Sequence, residues 1–142
     1  MNKVLILGAN STGGAYASYF FSLRGFEVIA SSRSAQAHPS QLPYLFKSCP
    51  PIEYLSYDLN WEIPCQKELL NFINPDYVIN FASQSMVAQS WENPSDWMRT
   101  NCVGQVKLLE ALRDLKELKR YIHFSTPEVY GNTVDWIKED HS

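Results

Sequence analysis

Short apolar runs and amphipathic stretches alternate along the chain. The first run, "KVLILG" at residues 3–8, is almost wholly apolar, as in a strand buried on both faces of a parallel sheet. Residues 12–24 follow with helical spacing that puts Ala15, Tyr19 and Leu23 on one face before Gly25 stops the helix. "FEVIAS" (26–31) predicts a second strand. Residues 34–51, "SAQAHPSQLPYLFKSCPP", are rich in Pro and Ser, carry no period and read as a long loop. "IEYLSYDL" (52–59) alternates as a third strand, and 64–73 predicts a short helix with Pro64 in its first turn. "DYVINFA" (76–82) is a fourth strand and "SQSMVAQSWENP" (83–94) a polar loop. A long helix is predicted over 95–118. Ser95 and Asp96 suit its cap, and Trp97, Cys102, Leu108, Leu109 and Leu112 supply its apolar positions. "RYIHFS" (120–125) is a fifth strand.

Strands alternating with helices predict an α/β fold: an open parallel sheet, doubly wound, with helices on both faces. The bulk numbers fit this. The chain has 142 residues, 45% hydrophobic and 19% charged, enough for one domain with a real core. Its net charge is −3 and no Lys/Arg run appears, which argues against a nucleic-acid surface. No apolar stretch is long enough to span a bilayer, and the apolar run in "MNKVLILGANSTGG" stops too early for a signal peptide. Cys49, Cys65 and Cys102 are scattered, with no CxxC and no metal spacing. They read as reduced thiols of a cytoplasmic protein.

"LILGANSTGGA" sets Gly8 after a strand and Gly13–Gly14 at a helix start. Gly8, Ser11 and Gly14 occupy the three glycine positions of a dinucleotide-binding turn. There, free backbone N–H groups and the helix dipole face an anionic pyrophosphate. Ser11 replaces the middle glycine; its side chain either crowds the phosphate or bonds to it. At the end of the second strand, where an acid would bond a ribose 2′-hydroxyl, the chain has "ASSRS". Arg33, with Ser32 and Ser34, suits a 2′-phosphate instead, hence NADP with NAD as the alternative; the other reading is a solvated arginine. Asp58 is placed either to read an adenine edge or to form a turn. The fifth strand ends in "FSTPEVYG" (124–131), which sets Thr126 and Glu128 just beyond a strand end.

Five segments in this order resemble the extended short-chain dehydrogenase/reductases, specifically the nucleotide-sugar 4,6-dehydratases such as those acting on GDP-mannose and dTDP-glucose. They are "GANSTGG", "YDL", "PDYVINFASQSMVAQSWENP", "TNCVGQVKLLEAL" and "FSTPEVYG". The resemblance implies a Rossmann-type sheet truncated after about five strands. It also implies cofactor contacts at Gly8, Asn10, Ser11, Thr12, Gly13 and Gly14, at Arg33, Asp58 and Leu59, and at Phe81, Ala82 and Ser83. Gln84 and Ser85 would meet the nucleotide sugar. Thr126 would hydrogen-bond the sugar C4 oxygen. Glu128 would remove the C5 proton, a task suited to a carboxylate in a partly desolvated pocket. Epimerases of this family usually carry a non-acidic residue at the Glu128 position, whereas UDP-glucuronate decarboxylases also carry Glu. Pro127 departs from the dehydratase pattern, which has Asp or Ser there to help protonate the leaving hydroxyl.

The family's Tyr-x-x-x-Lys pair has no match: Tyr121 and Tyr130 are followed at that spacing by Ser125 and Val134. Residues 1–142 therefore read as the N-terminal, cofactor-binding part of such an enzyme, inactive alone and prone to self-association through the long helix. The other readings are a stand-alone nucleotide-binding or regulatory domain, or a fragment of a related nucleotide-sugar epimerase or UDP-glucuronate decarboxylase.

Overall fold

The computed structural model describes residues 1–140; of the span read as one domain, His141 and Ser142 lie outside the described residues. Five parallel strands form one sheet in the order β3-β2-β1-β4-β5. They are β1 (Lys3–Leu7), β2 (Glu27–Ser32), β3 (Glu53–Ser56), β4 (Tyr77–Asn80) and β5 (Arg120–His123). The chain goes outward from β1 to β3, then returns to the other side of β1 with β4. That reversal makes a switch point between the carboxyl ends of β1 and β4, the crevice where such sheets bind ligands.

The near-continuous apolar run of β1 has the expected cause. Leu5 and Leu7 face one core with Leu70, Val78, Leu108 and Leu112, while Val4 and Ile6 face the other with Ala15, Val28 and Ile79. Helix α1 (Thr12–Leu23) covers the second face. Its buried stripe is Gly14, Ala15, Ser18 and Ser22, small residues that let the helix lie close to the sheet. The expected inward Leu23 is 52% exposed. Gly25, at φ +77°, lies just past the helix end. Its N–H bonds Ser22 O and the Phe26 N–H bonds Phe21 O, the double closure that ends a helix at a left-handed glycine.

The stretch read as a bare loop, 34–51, holds a 3₁₀ turn (Pro39–Gln41) and a short helix, α2 (Pro43–Phe46), each started by a proline. It buries Leu42 and Tyr44 against α1, which a search for periodicity over so few residues does not detect. Helix α3 (Ile63–Ile73) matches its expectation and ends at Asn74 in the left-handed region, before Pro75.

The polar loop after β4 contains a helix, α4 (Val87–Glu92). The predicted long helix is broken into α5 (Pro94–Met98), a π-helical turn (Arg99–Gly104) and α6 (Gln105–Leu112). Pro94 opens α5, and neither Ser95 nor Asp96 caps it, since both lie inside the helix. The helix stops at Leu112 rather than Leu118. Eight residues later the chain must enter β5, and Lys119 N–H already bonds Asp76 O at the sheet edge. Of the apolar positions expected on it, Leu108 and Leu112 are buried, Trp97 is half-buried, and Cys102 and Leu109 are exposed.

Candidate functional site

The residues following all five strand ends gather along one edge of the sheet, because parallel strands present their carboxyl ends together. At the switch point the two backbones nearly touch. Gly8 has φ +81°, and a Cβ there would lie 2.7 Å from Ala82 N and 2.8 Å from Phe81 C. Gly14 is equally constrained, since its Cβ would meet Gly8 O at 2.4 Å. Both glycines are required by the turn itself, whatever it binds.

Ser11 caps α1. Its Oγ–H donates to Gly8 O at 2.7 Å and its oxygen accepts from Gly14 N–H at 3.1 Å. The hydroxyl proton is therefore committed to the turn and is not offered to a ligand. Thr12 and Gly13 sit in the first turn of the helix, exposed, with amides that find no partner among the described residues. Together they form a donor pair of the kind that receives an anion at a helix start.

Asn10 points elsewhere. Its Nδ2 donates to Ser34 Oγ at 3.2 Å and Ala35 O at 2.9 Å, and its Oδ1 accepts from Ala37 N–H at 3.0 Å. The side chain read as a cofactor contact is engaged in holding the loop after β2. Arg33, on that loop, is exposed and makes no ion pair among the described residues.

A cleft of about 210 Å³ opens over this edge. Its lining includes Gly8, Asn10 and Ser11 from the turn, Arg33 and Asp58 from the loops beyond β2 and β3, and Phe81–Gln84 beyond β4. Thr12, Gly13 and Gly14 are not among its lining residues. Asp58 acts as a turn former, accepting from Asn60 N–H at 2.9 Å through Oδ1, while it also faces the cleft. Leu59 is 3% exposed and its side chain belongs to the core, so it meets the cleft with little more than backbone. Ser32, Ser34, Tyr57 and Thr100 complete the wall.

A second cleft of about 440 Å³ adjoins the first and shares Ser83 and Gln84 with it. Ser85, Thr126 and Glu128 line it together. Thr126 and Glu128 are exposed, and neither side chain has a hydrogen-bond partner among the described residues. The expected partly desolvated pocket around Glu128 is thus not formed by the described residues. Between the clefts stand two rings: Phe81 stacks on Phe124 at 4.0 Å, and its edge lies where a Cβ on Gly13 would be, 2.9 Å away.

The polar scaffold behind the second cleft was not anticipated. Asn80 is fully buried at the end of β4. Its Nδ2 donates to Gln105 Oε1 at 2.7 Å and Tyr121 Oη at 3.1 Å, and its Oδ1 accepts from Ala82 N–H at 2.8 Å. Tyr121 Oη lies 3.2 Å from His123 Nδ1, and Gln105 Nε2 donates to Ala82 O. Burial raises the Tyr121 phenol above its ordinary pKa, partly offset by the Asn80 bond, so it stays neutral. The only sequence signal was an Asn closing an apolar strand, which looks the same as an ordinary strand-end turn.

The strand order, the switch-point crevice and the glycine turn define a Rossmann-type, doubly wound α/β domain. The sequence matches the family described as GDP-mannose 4,6 dehydratase over residues 5–142, and the chain belongs to that family. A GDP-mannose 4,6-dehydratase of Vibrio cholerae is 30% identical over 135 residues, 91% of this chain and 36% of the relative. A dTDP-glucose 4,6-dehydratase of Xanthomonas campestris is 44% identical over 71 residues, 44% of this chain and 20% of that one. The chain thus spans little more than a third of the length of the longer-matching relative. In three dimensions it resembles the UDP-glucose 4-epimerase of Bifidobacterium longum, solved with NAD+ and UDP. The TM-score is 0.84 at 21% identity, covering 99% of this chain and 42% of that one. Among the described residues no helix is long and apolar enough to cross a membrane.

Proposed function

We propose that this chain is the cofactor-binding part of an NADP-dependent nucleotide-sugar 4,6-dehydratase. In this reading it holds the dinucleotide in the smaller cleft and presents Thr126 and Glu128 to the sugar in the larger one. The observation that carries the reading is the sharing of Ser83 and Gln84 between two clefts on one sheet edge. One cleft has the glycine turn and Arg33; the other has an unengaged hydroxyl and an unengaged carboxylate.

The residues present suit such a cofactor. Close backbone approach at Gly8 leaves room no Cβ would leave. The Thr12 and Gly13 amides would receive the pyrophosphate, Arg33 and Ser34 a 2′-phosphate, and Asp58 the adenine edge. When bound, the dinucleotide supplies the hydride acceptor for the sugar C4 and the donor for C6. Thr126 would hold the C4 oxygen through its hydroxyl. Glu128 would take the C5 proton, which becomes acidic once C4 is a ketone, as hydroxide leaves C6 and is protonated to water. Pro127 has no proton to give to that leaving group, so the proton comes from elsewhere in the site. The C4 proton acceptor expected from the family, a Tyr paired with Lys four residues on, is not in this sequence. The chain alone is therefore expected to bind dinucleotide without turning over sugar.

Calorimetric titration with NADP+ and NAD+, before and after Arg33→Ala, tests the reading. Tighter binding of NADP+ that disappears in the variant supports it, and tighter NAD+ binding by the unmutated chain contradicts the Arg33 assignment. Incubation with GDP-mannose and dTDP-glucose should yield no 4-keto-6-deoxy product; turnover would contradict the assignment of an incomplete site.

A further inference from the structure

Resting on the dinucleotide reading above, we infer that Asn10 is a positioning residue for cofactor selectivity. It latches the Arg33–Ala37 loop at a fixed distance from the pyrophosphate donors, and so sets the preference for a 2′-phosphorylated adenosine. The Asn10 backbone is anchored to the sheet edge, N–H to Ser32 Oγ at 3.0 Å, while the carboxamide spans outward to the loop. There it engages three successive sites, Ser34 Oγ, Ala35 O and Ala37 N–H. Both amide hydrogens and one carbonyl lone pair are occupied, so the side chain has no donor left for a ligand.

The opposite side of the loop is held from β3. Tyr54 Oη–H donates to Ser34 O at 2.9 Å and Ser56 Oγ–H to Arg33 O at 3.3 Å. The backbone beneath Arg33 is thereby clamped from both flanks, and only its guanidinium is left unpaired among the described residues. A loop fixed in this way meets a 2′-phosphate without first losing conformational freedom, which is how preorganisation raises affinity. Asn10 is also adjacent in sequence to Ser11, the cap of the helix whose first amides face the pyrophosphate. One residue therefore ties the two anion-binding points together. A ligand with a single phosphate at the turn gains nothing from that tie; a ligand with a second phosphate at the ribose does.

The test uses the whole chain and two probes, adenosine 2′,5′-bisphosphate and 5′-AMP, with affinities from calorimetry and thermal midpoints recorded in parallel. The unmutated chain should prefer the bisphosphate. Asn10→Ala should weaken the bisphosphate roughly 10-fold and 5′-AMP less than about 2-fold, collapsing the ratio. Tyr54→Phe loosens the same loop without touching the glycine turn and should shift the ratio the same way by less. Arg33→Ala added to Asn10→Ala should cost less than Arg33→Ala alone, because both act through one contact. A purely structural Asn10 would instead lower the thermal midpoint and weaken both probes alike, and that result overturns the inference. So does a bisphosphate preference that survives both Asn10→Ala and Tyr54→Phe, with the 2′-phosphate reading then intact. Equal affinities in the unmutated chain overturn the 2′-phosphate reading and the latch together.

Discussion

Asn101 grips the peptide of Gln84 from both sides: its Oδ1 accepts from Gln84 N–H at 2.8 Å, and its Nδ2 donates to Gln84 O at 2.8 Å. Gln84 belongs to both clefts, so this pair fixes the backbone that separates them. The residue sits in the π-helical turn, and an extra residue per turn is a common way to aim a side chain at a functional site. Asn101→Ala leaves a half-buried N–H and C=O without partners. The expected cost is about 1–3 kcal/mol. Denaturant unfolding should show that loss, and hydrogen exchange should show faster exchange at Gln84 N–H. An unchanged exchange rate at Gln84 would mean the loop is held by something else.

Asp76 ties the amino-terminal ends of two strands. Its Oδ2 accepts from the N–H of Lys3, the first residue of β1, at 2.7 Å, and its Oδ1 meets Lys119 Nζ, just before β5, at 2.7 Å. The Lys119 bond first, and the Lys3 amide second, hold its carboxyl below the usual range. A carboxylate depressed in the folded state adds stability that is fully present above its unfolded value, about pH 4, and is lost as pH falls through the lower folded value. Asp76→Asn should therefore destabilise the chain at pH 7, with the gap to the unmutated chain closing as pH falls below the ordinary carboxylate value and through the lower folded one. Urea unfolding across that range reads the effect directly. A gap independent of pH would assign the loss to the Lys3 hydrogen bond rather than to charge.

The sequence carried the sheet but not the scaffold. Alternate apolar residues in β1 divide between two cores, and that burial makes the strand legible as a solid run. Gly8 was legible because a positive φ and a backbone 2.7 Å away leave one residue type for the position. Ser11 and Asn10 were legible as turn residues but not in role, since the sequence does not tell whether a polar side chain turns to a ligand or to the chain. Helix α6 stops early for a tertiary reason, the approach to β5, and the helical pattern continues past it in Leu115 and Leu118, which pack on the core from irregular chain. The Asn80–Gln105 bond joins residues 25 apart in sequence, so no local window reveals it.

Self-association is expected through the helical segment that runs from the end of α5 through α6. Met98, Val103, Val106 and Leu109 are 61%, 52%, 63% and 49% exposed. Four large apolar side chains on one helical flank make a patch that water disfavours. Sedimentation or light scattering should show a concentration-dependent increase in mass. Val106→Glu, which puts a charge at the middle of the flank, should weaken the association at least 10-fold while leaving the thermal midpoint of the monomer nearly unchanged. A monomer at high concentration would contradict the expectation.

Glu128 offers the sharpest separation between structure and chemistry. Its side chain is exposed and engages no partner among the described residues, so the fold gains little from its charge. Surface substitutions of this kind usually change stability by less than about 0.5 kcal/mol. Glu128→Gln should accordingly leave the unfolding curve of this chain and its dinucleotide affinity unaltered. In a longer form of the protein that also carries the sugar site and the C4 proton acceptor, the same change removes the C5 base. It should lower kcat about 10²- to 10⁴-fold with little change in KM. The paired measurement is informative in both directions. A large stability loss in this chain would make Glu128 a structural residue. Full turnover by the longer form carrying Glu128→Gln would assign the C5 proton to a different base.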